Sequence, residues 1–210
     1  MTNYAKLIVV LIAVWFASVF TASTLRLFGR HPGDSPLPLG IAALAPIVLF
    51  LLWFALSTGF RQFAMSVDAR TLTAMQSWRI VGFVFVVLAV FGLLPGMFAQ
   101  PAGWGDMFVG ATALWAARRL ANPGHRNGFI VWQLLGVADL VTAVATGTLA
   151  GLLNPHGIPT SAMTVLPLSM IPAFGVPLFL IFHIICIAQA RRWPAGQNAA
   201  LGEPLRSPAA

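Results

Sequence analysis

The sequence predicts an all-α fold: a polytopic membrane helix bundle with six transmembrane helices in one domain. Hydrophobic residues make up 59% of the chain and charged residues only 8%, whereas soluble domains carry about 25% charged residues. The apolar residues are collected in runs that are long enough to cross a bilayer. A water-soluble core of this size could not bury so much apolar surface. We therefore expect the lipid bilayer to be the main partner of the chain.

The individual elements follow from the apolar runs in chain order. The predicted spans are residues 7–22, 39–60, 80–99, 102–120, 127–151 and 164–190. A tight turn at residues 100–105 would join the third span to the fourth. Residues 68–79 are expected to form an amphipathic segment at the membrane interface, with Trp78 at the level of the headgroups. The polar tail, residues 193–210, is rich in Pro, Gly and Ala and is predicted to be disordered.

The first apolar run has a second interpretation. Thr21-Ala22-Ser23 is a passable small-residue cleavage site, so residues 7–22 could be a signal peptide. The run is longer than a usual signal core, and more spans follow it. Whether the first span is cleaved stays open.

The basic residues predict the orientation. With six spans, ten Lys and Arg residues fall on the side of the termini, and only Arg26 and Arg30 fall on the other side. The positive-inside rule then places both termini in the cytoplasm. Although the net charge is +7, no basic stripe with interleaved aromatic residues is present, so we expect no nucleic-acid partner.

One acid, Asp139, lies near the middle of the fifth predicted span. An ionised carboxylate costs about 3 kcal/mol at this depth on insertion scales. Gly136, Asp139 and Thr146 share one helical face, which should therefore point at other helices or at water. Asp139 is predicted either to bind a proton or cation in an intramembrane cavity, or to make a helix–helix hydrogen bond.

Two further polar residues should lie near the level of Asp139. His183 is in the cytoplasmic half of the sixth predicted span, and Gln133 precedes Asp139 in the fifth. Gln133, Asp139 and His183 could form a polar cluster or a short proton relay. The alternative for His183 is a hydrogen bond to a backbone carbonyl freed by a proline, or a snorkelling side chain.

Asp106 and Arg79 complete the list of candidate site residues. Asp106 follows Gly103-Trp104-Gly105 at the outer end of the fourth predicted span, where a carboxylate would favour a helix N-terminus. An outer-face site that adds His31, Asp34 and His156 is the alternative for Asp106. Arg79 is expected to anchor the third span at the interface beside Trp78, or to turn inward and pair with a carboxylate.

No cofactor or metal is predicted. Cys186 is the only cysteine, so an internal disulfide is excluded, and a cysteine within an apolar run is typically a small buried hydrophobe. The histidines other than His183 fall in loops, which argues against a haem held by two histidines. No nucleotide-binding or hydrolase motif occurs in the chain.

Four segments carry a resemblance to a known group of proteins. They are residues 78–82, 98–106, 132–140 and 166–172, the last running on to His183. On these segments the chain resembles a group of uncharacterised bacterial integral membrane proteins of similar length. No activity is assigned to that group, so the resemblance implies only a setting in the bacterial inner membrane.

Three classes of function remain open at this point, and whether the protein is an enzyme is undecided. The first is a small transporter, channel or proton-coupled protein with a polar pocket around Asp139, which would take an ion or small molecule. The second is a non-catalytic membrane subunit or assembly factor whose polar residues hold helices together. The third is an intramembrane enzyme that acts on a lipid or quinone, with Asp139 and His183 as acid and base. Substrate and oligomeric state are not predicted.

Overall fold

A computed structural model describes residues 3–29, 35, 37–153 and 156–194. Throughout this part of the chain the regular elements are helices, so the all-α prediction is confirmed. The α-helices are α1 (Asn3–Thr24), α2 (Leu37–Leu56), α3 (Thr58–Ser66), α4 (Ala69–Met75), α5 (Phe83–Val90), α6 (Gly96–Arg119), α7 (Arg126–Leu153) and α8 (Val176–Arg192).

Within the described residues, five helical segments are long and apolar enough to cross a membrane. They are Tyr4–Thr24, Leu37–Leu56, Ala69–Val90, Pro123–Gly151 and Ile171–Arg192. The first, second and fifth spans predicted from the sequence correspond to α1, α2 and α7. The segments predicted to be an outer-face loop around His31 and Asp34, and most of the tail predicted to be disordered, lie outside the described residues.

The second predicted span, residues 39–60, ends earlier than expected. α2 stops at Leu56, and Ser57 then caps α3, because its hydroxyl accepts the backbone N–H of Phe60 at 3.2 Å. A serine at this position satisfies one of the N–H groups that a helix start leaves without a partner. The cap therefore separates α3 from the span.

The third span begins about ten residues before the predicted residues 80–99. α4, a 3₁₀ turn at Gln76–Gly82 and α5 follow each other without a break, so residues 68–79 form the first half of a candidate span and not a separate interfacial segment. Leu72 and Arg79 point into the bundle, whereas Met75 and Trp78 are exposed.

Asp68 marks the start of this span. Its carboxylate accepts the backbone N–H groups of Arg70 and Thr71 at 3.2 and 3.1 Å, and the hydroxyl of Thr71 at 2.8 Å. The bond from the Thr71 hydroxyl, together with the backbone bonds and the nearby Arg70 charge, lowers the pKa of Asp68 below its ordinary value. The ionised form of this cap is therefore the stabilising one.

The tight turn predicted at residues 100–105 is wrong. The chain turns at residues 91–95, where Gly92 adopts a left-handed φ of 68°, and α6 begins directly after Pro95. The Pro95 carbonyl accepts the N–H groups of Phe98 and Ala99 at 3.0 and 2.9 Å. Pro101 lies inside α6 as its sixth residue, where its missing N–H removes one backbone bond without ending the helix.

As a result, Asp106 lies in the middle of α6, and the helix-start role expected for it is wrong. α6 is also the most central helix. Small residues face its neighbours, namely Ala99, Ala102, Gly103, Gly110, Ala113, Ala116 and Ala117, all of which are buried. Small side chains allow close approach of helices in membranes. α6 is not among the five candidate spans.

The sixth predicted span, residues 164–190, starts later than expected. Thr160–Thr164 is a 3₁₀ turn, and the helix begins with a π-turn at Ile171–Gly175 that continues into α8. Pro167 precedes the helix, while Pro172 and Pro177 lie in the first turns of the π and α segments. Pro172 is tolerated because the first N–H groups of a helix have no intrahelical partner, whereas Pro177 directly follows the π-turn inside the continuous helix.

Contacts at the two ends show how the long helices run. At one end, Tyr4 of α1 stacks on Phe63 of α3, and the guanidinium of Arg126, at the start of α7, donates to the carbonyl of Ala190 near the end of α8 at 3.0 Å. At the opposite end, the Ser169 hydroxyl donates to that of Ser23 at 2.9 Å. Successive long helices therefore run in alternating directions.

A buried polar cluster around Arg79

Arg79 lies at the centre of the bundle with only 3% of its surface exposed. The 3₁₀ turn between α4 and α5 directs its side chain toward α6 and α7. Its Nε donates to Oδ1 of Asp106 at 2.6 Å, and one terminal nitrogen forms an ion pair with Asp139. The two carboxylate side chains are 13% and 12% exposed, so they form the edge of the cluster. One guanidinium thus faces two carboxyl groups.

The other terminal nitrogen of Arg79 faces α7 and α8. It lies 3.4 Å from the carbonyl oxygen of Gly136 and 3.2 Å from Nε2 of His183. Every nitrogen of the guanidinium therefore has a partner, and the partners belong to three helices. A charge buried in an apolar environment is tolerated only with such pairing.

A chain of hydrogen bonds continues from His183 toward the start of α4. Nδ1 of His183 bonds to Oε1 of Gln133, and Nε2 of Gln133 donates to the Thr73 hydroxyl at 3.0 Å. That hydroxyl donates to the carbonyl of Ala69 at 2.7 Å and lies 3.8 Å from the sulfur of Cys186. His183, Gln133 and Thr73 are completely buried, so this side of the cluster is closed.

Glycines make room for the cluster. A Cβ added at Gly82, Gly105 or Gly136 would overlap the side chain of Asp106, Asp139 or His183 respectively. Each of these glycines lies on the helix opposite the side chain that it accommodates. The close approach of the helices is therefore what brings the polar groups within hydrogen-bonding distance.

The structure brings all five candidate residues together: Asp139, His183, Gln133, Asp106 and Arg79. The sequence interpretation had grouped only Gln133, Asp139 and His183. For these three residues it allowed a polar cluster or a short proton relay, and in the structure Arg79 lies between Asp139 and His183. The interface-anchor role favoured for Arg79 is wrong, because its side chain points inward while that of Trp78 is 71% exposed on the other side of the helix.

Thr73, which belongs to the cluster, and Gln76, which is buried on the same side of the span, are polar residues that sequence reasoning missed. The side-chain N–H of Gln76 donates to the carbonyl of Phe179 at 3.1 Å, and its buried oxygen has no partner among the described residues. The sequence contained a signal for them, because Thr73, Gln76 and Arg79 recur at a spacing of three residues, which is typical of one helical face. Their polar side chains therefore share one face of the third span.

The alternative metal site on the outer face gains no support. Among the described residues, no group of three or more His, Cys, Asp or Glu side chains could hold a metal ion. Asp106 binds Arg79 inside the bundle, and His31 and Asp34 lie outside the described residues. His156 is exposed.

The comparisons with known proteins identify a family but no activity. No curated protein and no solved structure matches the chain. A family model described as a domain of unknown function matches residues 36–191. This range contains α2 to α7 and nearly all of α8, and it leaves α1 outside. It also contains every residue of the Arg79 cluster, namely Thr73, Arg79, Asp106, Gln133, Asp139 and His183. Since the match covers most of the chain, the protein belongs to the family of the domain of unknown function DUF8737.

Proposed function

We propose that this chain is a multi-pass protein of the bacterial inner membrane whose Arg79 cluster binds and releases a proton, as in a small transporter or another proton-coupled protein. The observation that carries this proposal is that two carboxyl groups, Asp106 and Asp139, share one guanidinium inside a bundle of apolar helices. No other cation of the described chain forms an ion pair with either of them.

Charge counting gives the physical reason. With both carboxyl groups ionised, the cluster has one net negative charge, and with one of them protonated it is neutral. An uncompensated charge in this environment costs several kcal/mol. The second carboxyl group therefore favours a proton, or a cation in its place. Because the side chains of Asp106 and Asp139 are partly exposed, the carboxyl edge is where such an ion would enter.

The proposal includes six membrane crossings with both termini in the cytoplasm. α6 is long enough at 24 residues to be the sixth span, since it takes about 20 residues to cross the apolar layer. With Arg79 inside the bundle, nine basic residues remain on the cytoplasmic side, against Arg26 and Arg30 on the other. The nine are Lys6, Arg61, Arg70, Arg118, Arg119, Arg126, Arg191, Arg192 and Arg206. The alternating helix directions support this arrangement.

A non-catalytic membrane subunit or assembly factor is the second candidate. It is favoured by the observation that every nitrogen of Arg79 already has a protein partner, which suits a static link between helices. An enzyme that uses Asp139 and His183 as acid and base has less support, because Arg79 separates the two residues and His183 is completely buried.

Infrared titration of the protein in lipid nanodiscs tests the proposal. We expect the C=O stretch of a protonated, deuterium-sensitive carboxyl group to change with pH in the wild type. Asp139→Asn and Asp106→Asn should each alter or abolish this signal. Asp68→Asn is the matched control, since Asp68 is an exposed carboxylate outside the cluster, and it should leave the signal unchanged. A spectrum in which no carboxyl group of the cluster changes with pH would overturn the proposal.

A deletion strain supplies the biological test. If the proposed function is correct, a plasmid encoding Asp139→Asn should fail to restore the phenotype of the deletion, whereas the Asp68→Asn plasmid should restore it. Full activity of Asp139→Asn, present at the wild-type level in the membrane, would remove the proton-carrier proposal and favour the structural role.

A further inference from the structure

The direction of each hydrogen bond around His183 can be read from the chemistry of its partners. A guanidinium has only donors and does not lose its proton in proteins. The terminal nitrogen of Arg79, 3.2 Å from Nε2 of His183, must therefore be the donor, and Nε2 must be an acceptor. An imidazole with an acceptor at Nε2 is neutral and carries its proton on Nδ1.

The next bonds follow in the same direction. Nδ1–H of His183 donates to the Gln133 side-chain oxygen, which directs the amide NH₂ of Gln133 toward the Thr73 hydroxyl at 3.0 Å. The hydroxyl in turn donates to the backbone carbonyl of Ala69 at 2.7 Å. This carbonyl has no proton to pass on. The chain therefore runs one way, from Arg79 to Ala69, and ends there.

From this polarity we infer that His183 is a fixed neutral acceptor that positions Arg79, and that it is not a proton carrier. A protonated His183 would place a second cation against Arg79, and no carboxylate of the described residues contacts His183 to balance it. The groups that face it are Arg79 from the third span and Gln133 from α7, and Asp106 and Asp139 both bind the far side of the guanidinium.

The consequence for the site rests on the proposed function. If the carboxyl pair takes up a proton, that proton enters and leaves on the carboxyl side alone. A proton that moved toward the start of α4 would have to pass through the guanidinium, which does not lose its proton in proteins, and then along a chain that ends at the Ala69 carbonyl. A proton can therefore reach the cluster from the side of Asp106 and Asp139, but not from the side of His183, Gln133 and Thr73.

Nitrogen-15 NMR of histidine-labelled protein in nanodiscs tests the assignment of His183. The three other histidines are replaced in one variant (His31→Asn, His125→Asn and His156→Asn), so that His183 gives the only imidazole signals and no substitution is made within the cluster. We expect the neutral tautomer with a protonated Nδ1, unchanged across the pH range in which the infrared carboxyl signal changes. An Nε2-protonated tautomer or an imidazolium in this range would overturn the inference.

A pair of variants tests the positioning role. Gln at position 183 retains an acceptor for Arg79, whereas Leu does not. We expect the midpoint of the infrared carboxyl titration to stay near the wild-type pH in His183→Gln and to move in His183→Leu. Equal shifts in both variants, or no shift in either, would contradict a role in positioning Arg79.

The two proposals fail in different ways. If His183 is neutral with a protonated Nδ1 but no carboxyl group changes with pH, the proposed function is wrong and the assignment of His183 stands. If the carboxyl group titrates and His183 becomes an imidazolium over the same range, the proposed function stands and the one-way chain is wrong.

Discussion

The Arg79 cluster and the edge formed by α1 and α2 differ in which side chains they contain and in how far these are buried. α2 has no charged residue, and most of its large apolar side chains are exposed, Leu49 among them. The third span, α6, α7 and α8 instead place an arginine, two aspartates and a histidine in their shared interior. An edge helix in lipid needs only an apolar surface, whereas the centre needs close packing and complete pairing.

This difference indicates where the bundle is held together. Lipid tails are as apolar as leucine, so apolar contact alone gives helices little reason to associate in a membrane. Small residues and paired polar groups supply that reason, and both are concentrated around Arg79. We therefore expect substitutions in the centre to cost much more stability than substitutions at the α1–α2 edge.

The largest effect is expected from Arg79→Met. Removing the guanidinium leaves two partly buried carboxyl groups without their partner, and breaking a buried ion pair costs about 3–5 kcal/mol. The free energy of unfolding in mixed micelles is the quantity to measure. Arg70→Met is the matched control, because Arg70 lies in the same span but is exposed. It should cost less than about 1 kcal/mol, and equal losses would contradict a special role for Arg79.

The second effect is steric. Gly105→Ala places a methyl group against Asp139, and overpacking of this kind costs about 1–3 kcal/mol. Gly151→Ala is the control on α7, where a Cβ meets nothing within 4 Å. We expect thermal denaturation to show a loss for the first variant and no loss for the second. A stable Gly105→Ala variant would mean that the helices are farther apart than the structure shows.

A smaller effect is expected at the start of the third span. Asp68→Ala removes the cap of α4 and should cost about 1 kcal/mol near neutral pH. Because the pKa of Asp68 is lowered in the folded state, its contribution is complete above the unfolded-state pKa and is lost as pH falls through the folded-state pKa. Unfolding measured at neutral and acid pH checks this sign. Asp68→Asn keeps the cap acceptor and should lack this pH dependence.

The smallest effect is expected at the lipid-facing edge. Leu49→Ala on α2 removes an exposed side chain and should change the free energy of unfolding by about 0.5 kcal/mol or less. The free energy of unfolding in mixed micelles, measured as for Arg79→Met, checks this. If Leu49→Ala were as destabilising as Gly105→Ala, the contrast between edge and centre would disappear.

Composition predicted the helical class well, because long apolar runs with few charges have few alternatives to a membrane helix. The boundaries failed where Pro, Gly and Asp were interpreted as turn residues. At residues 100–105 the glycines permit close helix packing, and Asp106 is paired with Arg79, so the helix continues. Such a pairing depends on tertiary contacts that a single segment does not reveal.

Arg79 is a second residue whose pairing a single sequence segment does not reveal. Next to Trp78 in the sequence, it was interpreted as a second interface anchor. Both residues lie in the 3₁₀ turn, where successive residues point about 120° apart, and the structure places the two side chains on different sides. The spacing of Thr73, Gln76 and Arg79 contained the better signal. The identity of the partners, Asp106 and Asp139, required the fold.

A double-mutant cycle between Arg79→Met and Asp139→Asn tests the central claim, the shared pairing of the carboxyl groups with Arg79, most directly. The free energy of unfolding is measured for the wild type, both single variants and the double variant. We predict a coupling energy above about 1 kcal/mol, with the double variant more stable than Arg79→Met alone, because the amide removes a carboxyl group that has lost its partner. Additivity of the two single effects within about 0.5 kcal/mol would contradict the account.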